Sequence, residues 1–201
     1  MISTAGSALG TRAAHRLAQT GFWPIEPGLT DAEFARIEHK YGFEFSDDHR
    51  AFLAAGLPTG SPPPEPGVFQ SETPWSDWRN GDPVELRERL NWPVDGVLFD
   101  VGHGYWHDTW GERPNDQAEA ISAARLKLSE VPRMVPIFSH RYLPAGRGTY
   151  GHPVLSMHQT DIIYYGPDLF DYIQQEFGGA SLDIAPNWTP PAAVPFWRDF
   201  L

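Results

Sequence analysis

Residues 135–178, VPIFSHRYLPAGRGTYGHPVLSMHQTDIIYYGPDLFDYIQQEFG, decide the fold class of this chain. They predict three short strands and a closing helix. Residues 135–142 are apolar and aromatic, bounded by Pro136 and Pro144. Residues 154–157 and 162–165 are β-branched and aromatic, with Gln159-Thr160-Asp161 between them as a tight hairpin connection. Gly166-Pro167 stops the last strand. Asp168 then offers an N-cap to a helix with Leu169, Tyr172, Ile173 and Phe177 on one side, and Gly178-Gly179 ends it in the left-handed region.

Moving outward, the chain before this stretch reads as helices. Thr30 and Glu33 form a capping box, Leu29 is placed to staple onto Phe34, and Phe34, Ile37 and Tyr41 share a face before Gly42. A second helix runs from Ser46 through Phe52 and Leu53 to Gly56. Asp82-Pro83-x-Glu85 opens another, with Leu86 and Leu90 inward and Trp92-Pro93 as its end. Residues 94–101 then read as a strand by composition, broken by Gly102-His103-Gly104, with Trp106 and Trp110 on a second short strand. A helix capped by Asn115 or Asp116 follows, carrying Ile121, Ala124 and Leu128, and Pro132 halts it. Residues 11–20 predict a short helix stopped by Gly21. Ser61-Pro62-Pro63-Pro64-Glu65-Pro66-Gly67 reads as a stiff polyproline insert. The tail sets Pro186, Pro190, Pro191 and Pro195 beside Trp188, Phe196, Trp197 and Phe200. That proline spacing excludes a helix, and the rings predict a tail draped over the domain or against a second subunit.

Composition narrows the function. The 201 residues suffice for one domain with a sizeable core, and 41% are hydrophobic. The absence of cysteine removes disulfides, thiolate nucleophiles and Cys-based metal sites. No stretch has signal-peptide or membrane-span character, which sets a cytoplasmic expectation. Net charge is −11, from 15 basic and 26 acidic residues, and this argues against a nucleic-acid backbone as partner. It fits a basic protein partner, or simply solubility. Charge is also uneven: no Lys or Arg lies between Gly148 and Trp197, where Asp161, Asp168, Asp171, Glu176 and Asp183 all fall. That segment reads as a solvated acidic face or as a surface that steers a cationic partner.

No motif carries a catalytic signature. Gly146-Arg147-Gly148-Thr149-Tyr150-Gly151 fits G-x-G-x-x-G, but prolines and a strand flank it where a dinucleotide site needs a strand-to-helix turn. His103 and His107, with Asp108, would share a face on a helix; in an extended strand they stand about 13 Å apart, too far to ligate one ion. His140, His152 and His158 converge only if the fold brings them together. Ser139 and Ser156 fall within strands rather than at a nucleophile elbow. Asp161 is expected to hold its hairpin turn. Asn187-Trp188-Thr189 matches a glycosylation acceptor that is idle without secretion. Neither a metal nor a cofactor is expected. Half of Tyr105, Trp106, Trp110, Tyr142, Tyr164 and Tyr165 belong to a core by strand alternation. The rest face outward or into a cleft, and Tyr105, Trp106, Asp108, Trp110, His140, Arg141, Tyr142, Asp161 and Tyr164 are the candidate partner-binding residues.

The order of motifs resembles the SUKH superfamily, the Smi–Knr family of bacterial immunity proteins and fungal cell-wall regulators. The pieces are Gly28-Leu29-Thr30 through Tyr41-Gly42, Ser46-Asp47-Asp48-x-Arg50-x-Phe52-Leu53, Trp110-Gly111-x-Arg113-Pro114, His140-Arg141-Tyr142-x-Pro144, Pro153-Val154-x-Ser156, Gln159-x-Asp161 through Gly166, and Asp168-Leu169-x-x-Tyr172. Gly56-Leu57-Pro58-Thr59-Gly60 departs from the asparagine-glycine turn usual in the family. The resemblance covers about residues 28–178. It implies an α+β domain at 28–179, between an N-terminal extension (1–27) and a Pro/aromatic-rich tail (180–201). The expected sheet is mainly antiparallel, with five or six strands and helices packed against it. By resemblance the chain is a non-enzymatic immunity protein that occludes a toxin domain, a basic nuclease by charge complementarity, or else a regulatory scaffold for an endogenous partner.

Overall fold

The computed structural model describes residues 2–60, 74–179 and 188–201. The polyproline stretch 61–67, Asp183, Pro186 and Asn187 lie outside the described residues. The chain is α+β, with antiparallel sheets packed against helices, and residues 135–178 form four strands rather than three. The apolar run at 135–142 reverses at Ser139-His140, a two-residue turn with Ser139 at φ 49°, giving β3 (Met134–Phe138) and β4 (Arg141–Pro144). Ser139 therefore lies in a turn, not in a strand. Beyond them, β5 (Val154–His158) and β6 (Asp161–Gly166) turn at Gln159-Thr160, and the sheet order is β3-β4-β5-β6, antiparallel throughout. A separate two-stranded ribbon pairs β1 (Ile25–Glu26) with β2 (Leu57–Pro58). The strands thus divide between two sheets, and no five- or six-stranded sheet forms among the described residues.

Strand alternation sends side chains into two cores. Val135, Ile137, Leu143 and Val154 join residues of α1 (Thr4–Thr20), α2 (Asp31–Tyr41), α3 (Asp47–Ala55) and α6 (Leu169–Gly178). Met134, Tyr142, Leu155, Met157 and Ile162 face the other way. They meet the second half of α4 (Pro83–Gly102), α5 (Gln117–Leu128), and Val194 and Trp197 of the tail. Helices therefore cover both faces of the four-stranded sheet.

Local signals set the helix ends. The Thr30–Glu33 capping box forms, Asp168 accepts the Asp171 N–H, and Gly42 and Gly179 adopt left-handed C-caps. Asp116, not Asn115, caps α5. The Arg79 guanidinium holds Glu33 at 2.6 Å, and this bond with the Thr30 N–H pulls the Glu33 carboxyl down to about 2.

Two helices differ from the sequence expectation. α1 begins at Thr4 rather than at residue 11, capped by Ser3, and packs on α3 and α6. Its backbone approaches so closely that a Cβ at Gly10 would sit 2.0 Å from the Asp48 carbonyl oxygen. The second is α4, which continues through Pro93 to Gly102, so residues 94–101 are helix, not strand. Val94, Val97, Leu98 and Val101 form a helical stripe, and Val97, Leu98 and Val101 are buried. A proline inside a helix leaves the carbonyl four residues earlier without its donor. Here that carbonyl belongs to Arg89, and the buried Tyr142 hydroxyl donates to it at 3.0 Å. The sheet supplies the hydrogen bond that Pro93 removes.

The glycine-rich stretch is a structural pin. Buried Asp47 accepts the Ser3 N–H at 2.7 Å and the Gly148 N–H at 2.9 Å, and its own N–H donates to the Thr149 carbonyl. Asp48 accepts the Gly151 N–H at 2.9 Å. Burial works to raise the Asp47 carboxyl, but the Ser3 and Gly148 amides outweigh it and hold the group below its ordinary value. Burial dominates at Asp48 and raises it. Amides that would face pyrophosphate in a nucleotide site are here turned to the protein's own carboxylates.

Candidate functional site

The candidate residues do not come together: two groups line separate recesses, and Arg141, Tyr164 and Asp161 each stand apart. Tyr105, Trp106, Asp108 and Trp110 lie after α4, in a loop and the 3-10 turn Asp108–Trp110 rather than on a strand. With Thr160, Asp199 and Phe200, the first three line a recess of about 560 Å³. The rings there are engaged by the tail. Phe196 stacks on Trp110 at 6.1 Å, Phe200 lies 5.9 Å from Tyr105, and Trp197 is buried with its indole N–H on the Pro132 carbonyl. A 3-10 turn, Trp197–Phe200, forms once the last proline is passed. Burial, then the charges of Asp108, Asp100 and Asp199, push the Tyr105 hydroxyl up to about 12. His107 Nε2 stands 3.6 Å from the Asp199 carboxylate.

His140 and Tyr142 belong to a second recess, a cleft of about 360 Å³ between α4 and the two hairpin tips. Glu85, Glu88, Arg89 and Trp92 come from α4, Ser139 and His140 from the β3–β4 turn, and His158 from the end of β5. Of the three histidines in this part of the sequence, His140 and His158 meet here, while His152 sits beside the Ala192 carbonyl. Trp92 donates its indole N–H to the Met157 carbonyl and presents a ring edge towards His158.

Arg141 and Tyr164 are elsewhere. Arg141 is buried, stacked 3.6 Å over the Tyr165 ring and bonded to Ser156 Oγ. Tyr164 meets Trp188 of the tail edge-on. Asp161 is exposed opposite His158 and outside both recesses. It does not hold the hairpin: Asp100 of α4 accepts both the N–H and the hydroxyl of Thr160, at 2.9 and 2.7 Å.

The acidic segment after Gly148 is not one open face. Asp168 caps α6, and α1 lends it cations: Arg12 sits near Asp171 and over Phe170, and Arg16 reaches the Gly178 carbonyl. Exposed acid on and beside α4 and α5 comprises Asp82, Glu88, Asp95, Asp108, Glu112, Asp116, Glu119 and Glu130, against exposed Arg87, Arg125, Lys127 and Arg133. Within that layer one face of α4 reads Val84, Glu88, Trp92, Asp95, Phe99 at spacings of four, four, three and four. Val84, Trp92 and Phe99 are 60, 47 and 53% exposed. Glu88 and Asp95 have no ion-pair partner among the described residues. Reading the helix as ending at Pro93 cut this stripe in two; continuing the 3.6-residue period past the proline joins it.

Among the described residues no three His, Asp or Glu side chains gather as metal ligands, and no helix is long and apolar enough to cross a membrane. No family model, no curated protein and no solved structure matches the chain.

Proposed function

We propose that this chain is a non-enzymatic protein-binding domain acting inside the cell, an immunity protein of the SUKH type that masks a basic toxin domain such as a nuclease. The observation that carries the protein-binding part is the α4 face, where the exposed rings of Trp92 and Phe99 alternate with Glu88 and Asp95, two exposed carboxylates with no ion-pair partner among the described residues. Half-exposed tryptophan and phenylalanine amid like charge have the composition of an interface centre with a steering rim. The toxin part rests on the net charge of −11 and on the motif resemblance.

The test is cross-linking of the tagged full chain in its own cells, identification of the cross-linked peptides, and expression of the captured protein alone and with this chain. A captured protein that arrests growth alone and is rescued by co-expression supports immunity. A captured protein harmless by itself overturns immunity in favour of a regulatory scaffold. Cross-links that avoid α4 overturn the surface.

A further inference from the structure

Given the protein-binding role proposed above, we infer that the cleft between α4 and the two hairpin tips seats an arginine side chain of a basic partner. The recess has a ring on its α4 wall, Trp92, and a carboxylate at its rim, Glu88, which no cation of the described residues neutralises. The cation already present is satisfied within the chain: Arg89 binds Glu85 at 2.9 Å and donates to the Pro74 carbonyl. Among the described residues that line the cleft, one arginine stands against two carboxylates. Burial, then the charges of Arg141 and His158, holds His140 below its ordinary value, so this ring adds no positive charge at neutral pH.

Shape favours guanidinium over ammonium. A planar delocalised cation stacks on an indole face while presenting N–H groups in its plane to a carboxylate, which a point charge on a flexible stem does not reproduce. The hairpin tips bring Ser139, His140 and His158 to the lining as well, with Ser139 Oγ and His140 Nδ1 paired at 3.2 Å and the lone pairs left over open to a donor-only head group. The exposed apolar side chains of Val84 and Phe99 flank the cleft along the same helix face, where the partner's backbone would pass.

The experiment titrates the isotope-labelled full chain with acetyl-Gly-Arg-Gly-amide and the matching lysine peptide, following the Trp92 indole N–H resonance assigned by its loss in Trp92→Phe. The arginine peptide is expected to move that resonance and to bind several-fold more tightly than the lysine peptide. Glu88→Gln, an exposed and conservative change, should weaken it about twofold to fivefold, and added salt should weaken it too. A Trp92 resonance that does not move, or affinity unchanged in Glu88→Gln, overturns the seat. If the peptide instead moves resonances around Tyr105–Trp110, the cleft is overturned while the protein-binding role stands, because cross-linking judges that role separately.

Discussion

Replacing Asp47 by Asn tests whether one buried carboxylate ties the two ends of the first core together. The side chain is fully buried and accepts two backbone N–H groups, Ser3 at the start of α1 and Gly148 in the β4–β5 connection. Asparagine keeps the shape, but its NH₂ must face one of those amides, so one charge-assisted bond is lost and a buried donor is stranded. At 1.5–3 kcal/mol for a hydrogen bond to a charged group, with the stranded donor added, the expected loss is about 2–4 kcal/mol at pH 7. The pH dependence gives a second handle. Because the native carboxyl is held below its ordinary value of 3.8, its contribution is complete above that value and lost as pH falls through the native one. Urea unfolding of both chains should therefore show a gap that is widest at neutral pH and narrows in acid, where protonated aspartic acid and asparagine are near equivalents. Asp48 titrates in both chains and largely drops out of the difference. A neutral-pH loss below about 0.5 kcal/mol, in the range of an ordinary surface change, would refute the pin. So would a gap that stays constant with pH.

Four further changes probe other parts of the fold. Gly10→Ala, favourable by helix propensity, should lower the melting temperature, because its Cβ would lie 2.0 Å from the Asp48 carbonyl; the cost is about 1–3 kcal/mol or more by calorimetry. Tyr142→Phe should cost about 0.5–1.5 kcal/mol in urea by removing the hydroxyl bond to the Arg89 carbonyl, with faster hydrogen exchange around that turn of α4. Trp197→Ala should cost about 3–5 kcal/mol and release the tail to proteolysis, since the ring is 1% exposed and bonded to Pro132. Burial holds His49 down at about 3 against an ordinary 6.5, so stability is complete above 6.5 and falls as acid charges the unfolded form; His49→Leu should flatten that slope in unfolding midpoints measured across the window.

The elements that the sequence declares are those whose causes are local. Thr30 and Glu33, Asp168, Gly42 and Gly179 act within a few residues of themselves, and each appears where its chemistry puts it. The misreadings share a different cause. Pro93 reads as a stop because a lone helix cannot replace the missing donor; Tyr142, some fifty residues on, supplies it. The reversal at Ser139-His140 contains no Gly, Asn or Asp, so no turn chemistry announced it. For the site, composition put His140 and Tyr142 among the partner-binding candidates, and both line the cleft beside α4. It did not separate rings that face outward from those the tail engages, because that depends on where residues 196–200 dock. The α4 stripe was lost with the helix that carries it.

The Asp47 pin also orders events during synthesis. The first turn of α1 is fastened through Asp47 to an amide at Gly148, and α3 through Asp48 to one at Gly151, so neither clasp exists on the ribosome until residues 148–151 have emerged. Until then α1 carries Ala13, Ala14 and Leu17 with part of their eventual cover still untranslated. In a nascent chain α1 thus waits for α6, one of the two helices it packs on, and its buried face is the kind of segment that is exposed to misassociation until then.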